Sequence, residues 1–98
     1  MTYNVRVQRK ELLIKHDASG LTFRFFYDRR EPSKLHIEAR WGMSTDQAIE
    51  TFFAASKDVV WIDTKRCYET KTSTHTLAWL WDIFNVQVMV ITCVPQED

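Results

Sequence analysis

The chain has 98 residues, of which 45% are hydrophobic and 13% aromatic, and its 13 basic side chains balance its 13 acidic ones. This length fits one domain, residues 1–98, and a composition with only two glycines and two prolines excludes a disordered chain. Two cysteines are too few for a secreted disulfide scaffold, no apolar signal segment opens the chain, and no apolar run could span a membrane. We therefore expect a cytoplasmic domain that makes no membrane contact.

Charge is divided unevenly along the chain. Residues 1–42 carry nine basic and five acidic side chains, whereas residues 43–98 carry four basic and eight acidic ones. If the two halves occupy different faces, the resulting dipole steers an anionic partner to one side of the molecule or favours head-to-tail self-contact at low salt. Ordinary scatter of surface charge is the alternative interpretation.

Alternation of apolar and polar residues predicts strands in the first third of the chain. The strongest runs extend from Thr2 to Gln8, from Leu21 to Tyr27 and from Lys34 to Trp41. A shorter apolar group at 12–14 follows the first run out of phase and precedes a turn signal at 17–20. The last two runs are joined by a polar loop, so they predict an antiparallel hairpin.

The rest of the chain predicts two helices and two strands. Ser44 and Gln47 have the spacing of a capping box, which predicts a helix to about Ala55. A strand follows at 59–62, continuing less apolar to Tyr68. A second helix is predicted from Ser73 or Thr74 to about Asn85, with its apolar stripe at Leu77, Leu80, Trp81 and Phe84.

The final run, 86–94, is apolar on both faces, which is typical of a strand inside a sheet. The predicted element order is β(β)ββ-α-β-α-β. Layer rules then favour an α+β two-layer sandwich, with a mainly antiparallel sheet of about four to six strands and two helices on one face.

Motifs that carry chemistry are missing from the sequence. No histidine or cysteine pair has zinc spacing, and two glycines cannot build a phosphate-binding loop. Cys67 and Cys93 lie in predicted strands without a local nucleophile signature, so inert thiols are the simpler interpretation. We therefore predict no catalytic residue, no metal site and no cofactor, and we regard an enzyme as the less favoured class.

A nucleic-acid interface is one alternative. On the predicted hairpin, Arg24, His36 and Arg40 would share an outer face with Phe26, as on the basic and aromatic platforms of single-strand binders. The neutral net charge and Glu38 in the same row argue against it.

Protein interaction is the favoured class. Trp79 lies off the apolar stripe of the predicted second helix, so it is either an exposed anchor or a core residue of a covered helix. Phe26 raises the same question on the sheet.

These features predict a non-enzymatic module that acts by surface contact with a protein partner or with a second copy of itself. Small inhibitors and adaptors encoded by phages and other mobile elements share this profile, an analogy of size and composition only. The alternatives are a nucleic-acid-binding accessory domain, and a small ligand-binding or catalytic domain with a pocket near Trp61 and Trp81.

Overall fold

The computed structural model describes residues 10–54 and 59–96. Six strands and two helices follow one another along the chain: β1 (Glu11–His16), β2 (Leu21–Phe26), α1 (His36–Trp41), α2 (Thr45–Ala54), β3 (Val60–Ile62), β4 (Cys67–Lys71), β5 (His75–Asp82) and β6 (Gln87–Pro95). Neither helix in this part of the chain is long and apolar enough to cross a membrane.

The six strands form one open sheet in the order β1-β2-β6-β5-β4-β3. Only β2 and β6 are parallel, and the other four neighbouring pairs are antiparallel. The predicted α+β sandwich with a mainly antiparallel sheet is therefore confirmed. The prediction that the final strand is internal is also confirmed, since β6 lies between β2 and β5.

Both helices pack on one face of the sheet, where the core lies. Phe23 and Phe25 of β2 point to this face because strand side chains alternate, and both are almost fully buried. Val88 and Val90 lie beside them on β6, in register with Phe23 and Phe25. The helices cover these sheet residues with three buried side chains: Ile37 of α1, and Ala48 and Ile49 of α2.

Local sequence signals are confirmed where they predict turns and caps. The turn at 17–20 joins β1 to β2 and ends on Gly20, whose φ of +75° suits a residue without a side chain. The Ser44 hydroxyl accepts a hydrogen bond from the Gln47 backbone N–H (3.1 Å), and the Gln47 side-chain oxygen accepts one from the Ser44 N–H (2.9 Å). These reciprocal bonds complete the capping box at the start of α2.

The predicted strand at 34–41 is wrong, because His36–Trp41 forms helix α1. The alternation of Leu35, Ile37, Ala39 and Trp41 had predicted a hairpin with β2. The helix instead ends at Gly42, whose φ of +65° allows its N–H to bond the Glu38 carbonyl at 3.0 Å. The partner of β2 in the hairpin is β1, the short apolar group at 12–14.

The predicted second helix is also wrong, because His75–Asp82 forms strand β5. This strand pairs along its whole length with β6, and one extra residue, Ile91, makes a bulge opposite Ala78 and Trp79. The long strand predicted from 59 to 68 is two strands, β3 and β4, joined by a turn at 63–66.

Some predictions fall outside the described residues. They are the first strand, Thr2 to Gln8, and the end of the first predicted helix beyond Ala54. Several charged residues of the predicted asymmetry, among them Arg6, Arg9 and Asp58, also lie there.

Candidate interaction surface

Three turns meet at one end of the sheet. Thr22 pairs with Gln87, so the turn 17–20 before β2 lies beside the turn 83–86 before β6. Tyr68 pairs with Trp79, so the turn 63–66 before β4 lies on the other side of the same β5–β6 turn. The β5–β6 turn is therefore the central one of the three.

The β5–β6 turn exposes an unusual amount of apolar surface. Phe84 is 91% exposed, Ile83 67% and Val86 61%, while Trp81 at the end of β5 is 38% exposed. We call these four residues the hairpin tip. Their combined exposed area is on the order of 400 Å², which is the size of the largest apolar patch on a typical monomer.

Hydrogen bonds to the Asp82 carboxylate fix the backbone of this turn. One carboxylate oxygen of Asp82 accepts hydrogen bonds from the backbone N–H groups of Phe84 (3.0 Å) and Asn85 (3.2 Å). The other accepts from the Asn85 side-chain amide at 2.8 Å and lies 3.4 Å from the Arg24 guanidinium. The Asn85 bonds and, less strongly, the nearby Arg24 charge lower the pKa of Asp82, which keeps it ionised and able to accept them.

Val86 closes the turn with a φ of +55°, a left-handed conformation that β-branched residues rarely adopt. The corresponding position of the β3–β4 turn is Arg66, with a φ of +56°. Strained backbone of this kind is often found at functional sites.

Trp79, one of the two predicted interaction residues, lies in the core and not on the surface. Its side chain is 9% exposed because β5 points it toward the helices, between Tyr68 (ring centroids 5.0 Å apart, stacked) and Phe52 (5.1 Å, edge to face). An interaction anchor must be accessible, so the role predicted for Trp79 is corrected to packing. Phe26, the second predicted residue, lies at the end of β2 on the face without helices and is partly buried.

The three residues of the predicted nucleic-acid face are not brought together. Arg24 lies on the open face of β2, where its guanidinium is 3.4 Å from both the Glu11 and the Asp82 carboxylates. His36 and Arg40 lie on α1, across the sheet, because 36–41 is a helix and not the predicted strand. The predicted cluster therefore does not form.

His36 and Arg40 instead meet at the buried carboxylate of Asp28. One oxygen of Asp28 lies 3.0 Å from His36 Nδ1 and 3.3 Å from Arg40 Nε, and the other accepts from the N–H groups of Arg30 and Glu31. The hydrogen bond from Glu31 contributes most to lowering the pKa of Asp28 to about 2, against the opposing effect of burial. This cluster ties the loop before α1 to the helix.

The described residues offer little for catalysis or metal binding. Both thiols are buried, and burial raises the pKa of Cys67 and of Cys93, which disfavours the nucleophilic thiolate. No group of three or more potential ligands in residues 10–54 and 59–96 is arranged around a metal position. A shallow hollow beside α2 is lined by hydroxyls, and those of Thr72 and Thr74 are engaged with each other and with His75.

The sequence reasoning missed Ile83 and Val86 as surface residues and assigned Phe84 to a helix stripe. The signal that could have found them is Asp82 followed three residues later by Asn85 between two apolar runs, a pattern typical of a turn.

Comparison of this chain with known protein families, with curated proteins and with solved structures finds no match. Its function therefore has to be inferred from its own residues.

Proposed function

We propose that this chain is a non-enzymatic protein-binding module and that the hairpin tip is its docking element. The observation that carries the proposal is the 91% exposure of Phe84 on a turn that Asp82 holds in place. Aromatic side chains that enter a partner's pocket commonly dominate binding energy at protein interfaces. Such a module acts as an inhibitor or adaptor by covering part of its partner.

Preorganisation supports this role. A side chain that protrudes from a mobile loop loses conformational entropy on binding, and this loss weakens affinity. The hydrogen bonds that the Phe84 and Asn85 N–H groups donate to Asp82 reduce that loss, because the backbone is already fixed. The strained φ of Val86 is consistent with a turn kept in a shape that its own stability does not favour.

The charges beside the tip favour a protein partner over a lipid surface. The flanking turns carry two acidic and two basic residues, and Arg66 lies 3.9 Å from Asp63 while Lys65 lies 3.2 Å from Glu69. Segments that insert into anionic membranes normally surround their apolar residues with unpaired cations. A pocket of apolar lining on a protein fits this neutral surrounding better.

The test compares three baits in quantitative affinity capture from a nuclease-treated bacterial lysate: wild type, Phe84→Ser and Leu13→Ser. Leu13 is the matched control because it is 52% exposed but lies on β1, away from the tip. We expect one partner near stoichiometry with wild type and with Leu13→Ser, and about 30-fold less with Phe84→Ser, as for an interface hot spot.

Sedimentation of the purified protein tests the other form of the proposal, in which the partner is a second copy. A dimer that Phe84→Ser dissociates and Leu13→Ser preserves would identify self-association. Equal capture by all three baits, or a monomer that recovers no partner, would refute the tip as a docking element.

A further inference from the structure

Four exposed cations lie close together beside the end of β2 that is opposite the hairpin tip. None of them takes part in an ion pair with any other described residue. We call them the basic patch: Lys10, Arg29, Arg30 and Lys34. By contrast, Lys65 and Arg66 beside the tip both lie near carboxylates.

Backbone hydrogen bonds bring the four residues together. The N–H of Tyr27 donates to the Lys10 carbonyl (3.2 Å), and the N–H of Asp28 donates to the Lys34 carbonyl (2.9 Å). Lys10 and Lys34 thus flank the same short segment, and at about 5 Å between neighbouring strands their backbones lie about 10 Å apart. Arg29 and Arg30 follow that segment directly.

The loop that carries the arginines is held in shape by Asp28. Its buried carboxylate accepts hydrogen bonds from the Arg30 N–H (3.0 Å) and the Glu31 N–H (2.9 Å), and the Lys34 N–H donates to the Glu31 carbonyl (2.9 Å). Asp28 is buried beside the Arg40 guanidinium, which offsets its negative charge, so Asp28 weakens the positive potential of the patch only slightly. Glu31 is the one exposed carboxylate within the loop 28–34.

We propose that the basic patch binds the phosphate backbone of nucleic acid without reading its sequence. Guanidinium groups match phosphate oxygens in a two-point geometry, and phosphate contacts carry no sequence information. A width of about 10 Å spans about three phosphates of one strand. The inference is independent of the proposed function, because the hairpin tip lies at the other end of β2.

Placement in the fold favours nucleic acid over an anionic membrane. A surface that binds lipid combines its cations with apolar side chains that enter the bilayer. The most exposed apolar residues, Ile83 and Phe84, lie at the opposite end of the sheet from Arg29 and Arg30.

The test measures fluorescence anisotropy of a labelled single-stranded 20-mer of mixed sequence titrated with the full chain. About three phosphate contacts predict a logarithmic salt dependence near −2, so affinity should fall about 20-fold between 50 and 200 mM salt. The variant Arg29→Glu/Arg30→Glu should bind at least about tenfold more weakly at the lower salt. The control Lys65→Glu/Arg66→Glu makes the same change of net charge elsewhere and should bind within about twofold of wild type.

Thermal melts check that each variant folds, and Arg29→Gln/Arg30→Gln repeats the test with a milder change. Undetectable binding at 50 mM salt, binding that salt does not weaken, or equal losses in the variant and its control would each overturn the proposal. Polyglutamate and phosphatidylserine vesicles serve as competing probes, and tighter binding to either would also overturn it. Loss of oligonucleotide binding in Arg29→Glu/Arg30→Glu with unchanged protein capture would separate this site from the hairpin tip.

Discussion

The carboxylate of Asp82 accepts a hydrogen bond from the backbone N–H of Phe84, the residue that follows it by two positions and has the most exposed apolar side chain on the described surface. A polar residue at the end of β5 thus determines where an aromatic ring is presented. Asp82 also lies 3.4 Å from the Arg24 guanidinium of β2, so an ion pair connects the turn to a strand two positions away in the sheet. This relationship gives the hairpin tip a defined shape before any partner binds.

Relief of strain at Val86 is the first prediction. Its φ of +55° brings the side chain of a β-branched residue too close to the backbone. Glycine removes a strain energy of about 1–3 kcal/mol from the folded state. It also costs about 0.5–1 kcal/mol of stability, because glycine gives the unfolded chain more conformational entropy. We expect Val86→Gly to raise the free energy of unfolding by about 1 kcal/mol in urea titrations.

Arg66→Gly is the control, because Arg66 has a φ of +56° at the same position of the β3–β4 turn. Its side chain is not β-branched, so the gain should be smaller. A Val86→Gly protein that is less stable than wild type would show that the Val86 side chain contributes more by packing than it costs by strain.

Truncation of Trp79 should lower stability, whereas truncation of Phe84 should weaken partner capture. Trp79 is buried and stacked on Tyr68, so Trp79→Ala should cost about 3–5 kcal/mol of folding free energy. Phe84 has few neighbours to lose, so Phe84→Ala should change stability by less than about 0.5 kcal/mol while weakening partner capture. Denaturant titrations decide, and a Trp79→Ala protein as stable as wild type would contradict the core position.

An apolar pattern distinguishes a helix from a strand only when the apolar residues lie on a single face of the segment. In 75–82, Leu77, Leu80 and Trp81 satisfy a helical stripe, yet Leu77, Trp79 and Trp81 also alternate as one face of a strand. Both periods fit because both faces are apolar, and pairing with β6, a contact distant from the turn residues, decides between them. The exposed tip could not be predicted without that pairing.

The segment 36–41 shows the reverse case, in which a local signal was present but was assigned to another structure. Alternation predicted a strand, but Gly42 is a helix-ending residue, and Met43 N–H also bonds back to the Ile37 carbonyl. The Ser44–Gln47 box, by contrast, was predictable because all its partners lie within four residues.

The basic patch was missed because backbone pairing, and not sequence spacing, places Lys10 near Lys34.

Both thiols should be unreactive in the folded protein. Cys93 is fully buried and Cys67 nearly so, and burial raises the pKa of each thiol. We expect Ellman's reagent to modify them at least about 100-fold more slowly in the native protein than in concentrated guanidinium, where both react. Rapid labelling of a single thiol in native buffer would contradict the position of that cysteine, and Cys67→Ala would then identify it.

Acid should act on the loop before α1 through Asp28. Its pKa is lowered from 3.8 to about 2, chiefly by the hydrogen bond from Glu31, so the folded state favours the ionised form more than the unfolded state does. The stabilisation is therefore complete above about pH 4 and is lost as pH falls toward 2. We expect Asp28→Asn to melt at a lower temperature than wild type at neutral pH, with the difference narrowing across that interval.

Thermal melts of the two proteins between pH 7 and pH 2 measure this difference. The lowered pKa of Asp82 also makes the fold acid-sensitive, but it is present in both proteins and cancels in the comparison. A difference in melting temperature between the two proteins that stays constant from pH 7 to pH 2 would show that the Asp28 carboxylate is not held as described. In that case the support that orders Arg29 and Arg30 in the basic patch would be lost as well.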